Sequence, residues 1–149
     1  MKTRSHTRRI KLKAPPETVF LLLITPSSIR QWWGAARAIV DPRVDGLWVA
    51  SWGEREDDPD YISAYRITAF DPPKRLVFGD ASYFAKSGPL PFEASFVIEF
   101  SVEPDPEGSV LQVTQDGFPA DPVADEFYKA CEIGWKNTFQ GIETFLGSL

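Results

Sequence analysis

Hydrophobic and polar positions recur with two different periods along this chain, and the change of period marks its elements. The longest period-two run spans Phe92 to Glu103. Phe92, Ala94, Phe96, Ile98, Phe100 and Val102 face one way, and Glu93, Ser95, Glu99, Ser101 and Glu103 face the other. Such a run predicts an antiparallel strand with one wet face. Trp48, Ala50 and Trp52 share a face after Gly46, as do Tyr61, Ser63, Tyr65 and Ile67 further on. Leu76 and Phe78 open another strand after the turn Asp71-Pro72-Pro73-Lys74, and Asp80 follows them inward by the same count. A turn at Pro104 to Gly108 leads into a returning strand from Val110 to Asp116. At the start of the chain, Arg9, Lys11 and Lys13 alternate with Ile10, Leu12 and Ala14, which predicts a half-buried first strand.

The period lengthens in three places. Ala14-Pro15-Pro16-Glu17 reads as a helix entry, with proline near the first turn and an acid at the positive end. A helix is expected over Glu17 to Ile24, broken by Thr25-Pro26, with a second short helix over Ser27 to Trp33 that Gly34 stops. A long helix is expected from Pro122 to Leu146, with Asp121 as its N-cap. There Phe127, Cys131, Trp135, Thr138, Ile142 and Phe145 form an apolar stripe, opposite Asp125, Lys129, Glu132, Lys136, Gln140 and Glu143. The order is strand, two short helices, about six strands and one long helix. It predicts an α+β domain in which a curved antiparallel sheet of six to seven strands wraps a C-terminal helix. No repeat or linker divides the 149 residues, so one domain over 1–149 is expected.

Composition narrows the class. Hydrophobic residues are 43% and charged residues 25%, enough for a true core, and the longest apolar run, Val19 to Ile24, is far short of the about 20 residues of a membrane span. The polar, basic first nine residues lack the apolar stretch of a secretory leader. The single cysteine, Cys131, forms no internal disulfide and fits a reducing cytoplasm. Six basic residues and no acid fall in the first 13, against ten basic and 21 acidic in the other 136. A basic arm points to nucleic acid, but the strand alternation accounts for it, and an acidic body repels a phosphate backbone. Neither a membrane nor a nucleic-acid partner is expected.

With these elements in order, the chain resembles the bacterial single-domain proteins similar to the C-terminal domain of the activator of Hsp90 ATPase, in the START-like helix-grip superfamily. The resemblance covers Ile10 to Leu146. It rests on residues 14–20 (Ala-Pro-Pro-Glu-Thr-Val-Phe), on Gln31-Trp32-Trp33, and on residues 41–48, which carry Asp45 where a second glycine is common. Residues 71–78, Gly117-Phe118 and Gly134-Trp135 complete it. The resemblance implies a helix-grip fold with a cavity between sheet and long helix that in relatives can hold a small apolar ligand. It also raises a chaperone-associated role, though the eukaryotic namesake carries a further N-terminal domain for which this chain has no counterpart.

Several kinds of chemistry lack their residues. The only histidine, His6, falls in the basic arm ahead of the expected core, so no nucleophile–histidine device is expected. One His and one Cys make no zinc site, and no glycine-rich phosphate loop appears, so no metal and no cofactor are expected. Five carboxylates lie between Glu54 and Asp60, but without calcium-loop spacing, and read as a solvated hairpin.

The aromatic residues are the informative excess. Trp48, Trp52, Tyr61, Tyr65, Phe78 and Phe96 count inward from the sheet, and Phe127, Trp135 and Phe139 meet them from the helix. Phe118 lies just before the long helix, at a cavity mouth or at a plain helix entry. These residues line either an aromatic pocket or an ordinary packed core. A pocket is favoured because buried Trp N–H and Tyr O–H groups need partners, and because Ser63 and Tyr65 sit between apolar neighbours. Asp80, Asp116 and Arg66 are the charged groups that alternation brings near such a pocket. Cys131 reads as a small core residue, and Trp32-Trp33 as an entrance patch or a staple between helices and sheet.

The expected ligand site comprises Trp48, Trp52, Tyr61, Tyr65, Phe78, Asp80, Phe96, Phe118, Phe127 and Trp135. The expected function is non-catalytic binding of a small apolar or aromatic molecule. The alternatives are a cyclase- or aromatase-type enzyme using Asp80, Tyr61 and Tyr65, and an interaction module acting through its surface near Trp32.

Overall fold

The chain crosses the molecule between its first and second strands, so two strands consecutive in sequence form the opposite edges of the sheet. In the computed structural model, which describes residues 2–149, β1 (Thr3–Leu12) leads into α1 (Pro16–Ile24) and α2 (Pro26–Trp33). Six strands follow: β2 (Arg37–Val40), β3 (Leu47–Trp52), β4 (Tyr61–Asp71), β5 (Arg75–Ala85), β6 (Val97–Asp105) and β7 (Gly108–Pro119). A 3-10 turn at Pro122–Ala124 then enters α3 (Asp125–Gly147). One antiparallel sheet runs in the order β1-β7-β6-β5-β4-β3-β2. The sheet curves around α3, giving the α+β arrangement that the periodicity predicts and the helix-grip fold that the resemblance implies.

The helix signals act as expected. The turn before α3 is capped by Asp121, whose carboxylate accepts from the Val123 amide at 2.9 Å. Thr25, ahead of a proline, is extended and separates α1 from α2, and Gly34 ends α2 at a φ of 69°. Along α3, Trp135, Thr138, Phe139 and Ile142 are buried. The close approach of α3 to α2 depends on Gly141, where a Cβ would stand 2.4 Å from the Trp32 carbonyl oxygen.

Two expectations on the strands fail, and both failures shape the site. On β5, Arg66 pairs with Gly79 while Ala64 pairs with Ser82, so Tyr65 alone faces both Asp80 and Ala81. This is a β-bulge, with Asp80 at a φ of 49°. The extra residue resets the alternation, turning Asp80 outward and bringing Ala81 and Tyr83 to the inner face. On β6, regular pairing starts at Val97 rather than Phe92, because β5 pairs with β6 only from Arg75↔Ser101 to Phe78↔Ile98. Residues 92–96 form no ladder pairs, although Ser95 and Phe96 lie against Gly117 of β7, and a groove opens between them and the far half of β5.

His6 is also placed differently from expectation. It belongs to β1 and is buried, with its ring stacked on Tyr128 at 3.8 Å and its Nε2 2.6 Å from the Tyr128 carbonyl oxygen. It fastens the first strand to α3.

Candidate functional site

Between the inner face of the sheet and α3 lies a cavity of about 220 Å³. Its walls come from four strands and two helices. β4 supplies Ser63 and Tyr65, β5 supplies Ala81 and Tyr83 beyond the bulge, and Ile98 and Gln115 come from β6 and β7. Trp33 closes one side from α2, while Phe127, Cys131, Gly134, Trp135 and Thr138 descend from α3. Phe96 completes the wall just before β6. The cavity reaches the surface beside Tyr83 and Gly134, both exposed. Near this opening, an added Cβ on Gly134 would meet nothing within 4 Å.

The polar groups of the cavity are few and uncharged. Ser63 and Tyr65 are each 9% exposed, Gln115 6% and Thr138 7%. The Trp135 indole N–H donates to Gln115 Oε1 at 2.7 Å. Burial pushes the Tyr65 hydroxyl well above the ordinary tyrosine range, only partly offset by the neighbouring Ser63 hydroxyl. Tyr65 is therefore a neutral phenol at neutral pH. Burial also pushes the Cys131 thiol up to about 12, so its sulfur is a soft apolar contact rather than a thiolate.

Of the ten residues expected at the site, Tyr65, Phe96, Phe127 and Trp135 line the cavity. Trp48 and Phe78 lie beneath it in closed core, their rings stacked at 4.9 Å and tilted by only 9°. Phe118 is buried against Phe96, Phe127, Tyr128 and His6, which makes it helix-entry packing rather than a flap. Trp52 packs edge-on against Trp33 at 5.2 Å, outside the wall. Tyr61 keeps the inner face but is exposed at the rim, stacked on Tyr83 at 6.4 Å.

Asp80 is a clear departure. It lies on the outer face, where Arg66 Nε donates to its Oδ2 at 2.6 Å while Arg66 Nη1 donates to Asp45 Oδ1 at 2.5 Å. Asp116 is exposed too, and its carboxylate accepts from the Gly117 amide. None of the three charged groups considered for the pocket enters it. Trp32 is buried, so the tandem tryptophans form no exposed patch, and Trp33 is a cavity wall.

The tryptophan N–H groups also find partners in the protein. Trp32 donates to the Leu22 carbonyl at 2.8 Å and Trp48 to that of Leu23 at 2.9 Å. The sequence argument from unpaired indoles therefore does not hold for these two. Gln115 and Thr138 are polar wall residues outside the set expected from the sequence. The signal for Gln115 was its place on the same face as Leu111 and Val113, where a glutamine is out of character.

Residues 13–147 match the family described as Activator of Hsp90 ATPase homolog 1-like protein. The chain belongs to this family. No curated protein sequence matches it significantly. Among solved structures, a protein from Mesorhizobium loti is 23% identical with a TM-score of 0.79, covering 97% of this chain and 98% of that one. An uncharacterized protein from Rhizobium leguminosarum is 20% identical, with a TM-score of 0.77 and coverage of 99% and 97%. The solution structure of the Aha1 dimer from Colwellia psychrerythraea is 15% identical, with a TM-score of 0.73 and 96% of each chain covered. At these identities the likeness concerns the fold. For this Activator of Hsp90 ATPase homolog 1-like chain, no helix among the described residues is long and apolar enough to cross a membrane.

Proposed function

We propose that this chain binds a small, neutral, apolar or aromatic molecule in the cavity under α3, as a carrier or sensor rather than a catalyst. The observation that supports this reading is the wall itself: aromatic rings on several sides, a few polar tips and no charged side chain. Size narrows the class. An apolar cavity of about 150 Å³ holds benzene, so about 220 Å³ suits one or two fused rings. A long acyl chain or a tetracycle does not fit without moving α3. Catalysis of the cyclase type is the weaker reading, because Asp80 and Tyr61 lie outside the cavity and Tyr65 is held as a neutral phenol. A cytoplasmic setting belongs to the same proposal, on the single unpaired cysteine.

The test is a titration of intrinsic fluorescence, since Trp33 and Trp135 report from the wall. A panel of neutral one- and two-ring compounds should include members that saturate the signal and, at 100 times Kd, raise Tm by about 5–10 °C. Ala81→Leu, which fills the space beside Tyr83, should stay folded and lose the response. A panel with no saturable response and no thermal shift would overturn the proposal.

A further inference from the structure

The hydrogen bond between Trp135 and Gln115 fixes more than the position of an indole. An indole N–H can only donate, so the Gln115 oxygen must face Trp135 and its amide nitrogen must face the other way. That nitrogen carries two N–H donors, and among the described residues it makes no hydrogen bond to the protein. Nor is it sealed in, since no side-chain polar atom among the described residues is both fully buried and unpartnered. Gln115 lines the cavity, so the open space its amide meets is the cavity itself. Gln115 is 6% exposed as a residue, so its amide donors meet little besides the cavity, and an apolar ligand that displaces water there leaves them without an acceptor. Across the sheet, the neutral Tyr65 hydroxyl and its neighbour Ser63 supply further hydroxyl groups. No arginine, lysine or histidine stands in the wall to neutralise a carboxylate, and no aspartate or glutamate to receive an ammonium.

Building on the ligand-binding proposal, we infer that the preferred ligand is a neutral aromatic carbonyl compound, whose oxygen accepts from the Gln115 side-chain amide while its rings lie against Phe96, Phe127 and Trp135. The carbonyl is the recognised group. Hydrocarbons of the same shape fill the volume but leave the Gln115 donors without a partner. Carboxylates and amines of the same shape bring an unpaired charge into the cavity.

The test compares 1-tetralone with tetralin, which differ by one carbonyl, and adds 1-aminotetralin as the cation. With the wild-type chain, tetralone should bind about tenfold more tightly than tetralin, although it is the less hydrophobic of the two. The amine should bind more weakly than either. Gln115→Met keeps the size and removes the donors, and should erase or reverse the preference for tetralone. Gln115→Glu retains an acceptor for Trp135 while removing the amide donors, and should erase the preference even if the Met variant fails to fold. If tetralin binds wild type as well as or better than tetralone, this inference is overturned while the ligand-binding proposal stands. A preference that survives in both variants overturns it equally. If neither compound binds, this inference is overturned, and the ligand-binding proposal is decided by the wider panel.

Discussion

The indole N–H of Trp48 donates to the main-chain carbonyl of Leu23 at 2.9 Å, tying β3 to the end of α1. Helix ends leave their last carbonyls without intrahelical partners. Here three consecutive ones are met by side chains: Leu21 by Thr25 at 2.6 Å, Leu22 by Trp32 and Leu23 by Trp48. Trp48 therefore serves the core and not the ligand. Trp48→Phe should lower stability by about 2–4 kcal/mol, from a buried unpaired carbonyl and a void. Urea denaturation gives that loss, and the titration of a bound aromatic should show an affinity within about threefold of wild type.

The bulge at Asp80 is a second point of control. Asp80 lies at a φ of 49°, which aspartate tolerates and a β-branched residue does not. Asp80→Val should cost about 1–2 kcal/mol through the backbone alone, whereas Asp80→Gly keeps the bulge and should retain ligand affinity. Deleting residue 80 removes the extra residue, so Tyr65 should pair with Ala81 alone and Ala81 and Tyr83 should keep the inner face. Ligand binding kept both in Asp80→Gly and in a deletion variant that still folds is the expected pair of results.

Two glycines seven residues apart on α3 should respond to alanine in opposite directions. At Gly134 an added Cβ meets nothing within 4 Å, so Gly134→Ala should stabilise the chain by about 0.5–1 kcal/mol through helix propensity. At Gly141 the same atom would sit 2.4 Å from the Trp32 carbonyl oxygen, and Gly141→Ala should destabilise by about 1–3 kcal/mol as α2 and α3 separate. Paired denaturation curves check both signs. Gly134→Phe, in contrast to the alanine variant, should obstruct the opening and weaken ligand binding.

Alkaline pH should destabilise the fold. Tyr65 and Cys131 both hold their protons to higher pH in the folded state than in the unfolded chain, because burial disfavours the charged form. Between about pH 9 and pH 12 the unfolded chain binds fewer protons at these sites, so stability falls as pH rises through that window and is complete below it. Denaturation midpoints measured from pH 7 to pH 11 should decline from about pH 9, less steeply in Cys131→Ala. At pH 8, a thiol with a pKa of about 12 is about one part in ten thousand thiolate. A charged disulfide reagent should therefore label Cys131 roughly a thousandfold more slowly than the unfolded chain.

The period-two and helical patterns determined the helix-grip order of elements, and the residues quoted from Ala14 to Trp135 determined the family. Both depend on short-range chemistry: which way successive side chains point, which residues start a helix and which end one. The stripe Phe127, Cys131, Trp135 and Thr138 was legible because helical spacing persists over the whole of α3. Tertiary structure alone decided that Asp80 faces Arg66, since an extra residue in one strand shows only against the register of its neighbour. It also decided where β6 begins, because residues 92–96 alternate like a strand yet form no ladder with a neighbour. The partners of the tryptophan N–H groups were equally hidden, being carbonyls on a helix far from Trp48 in sequence. Alternation says which face a residue takes, but whether that face is filled or hollow depends on how far the sheet curves from α3.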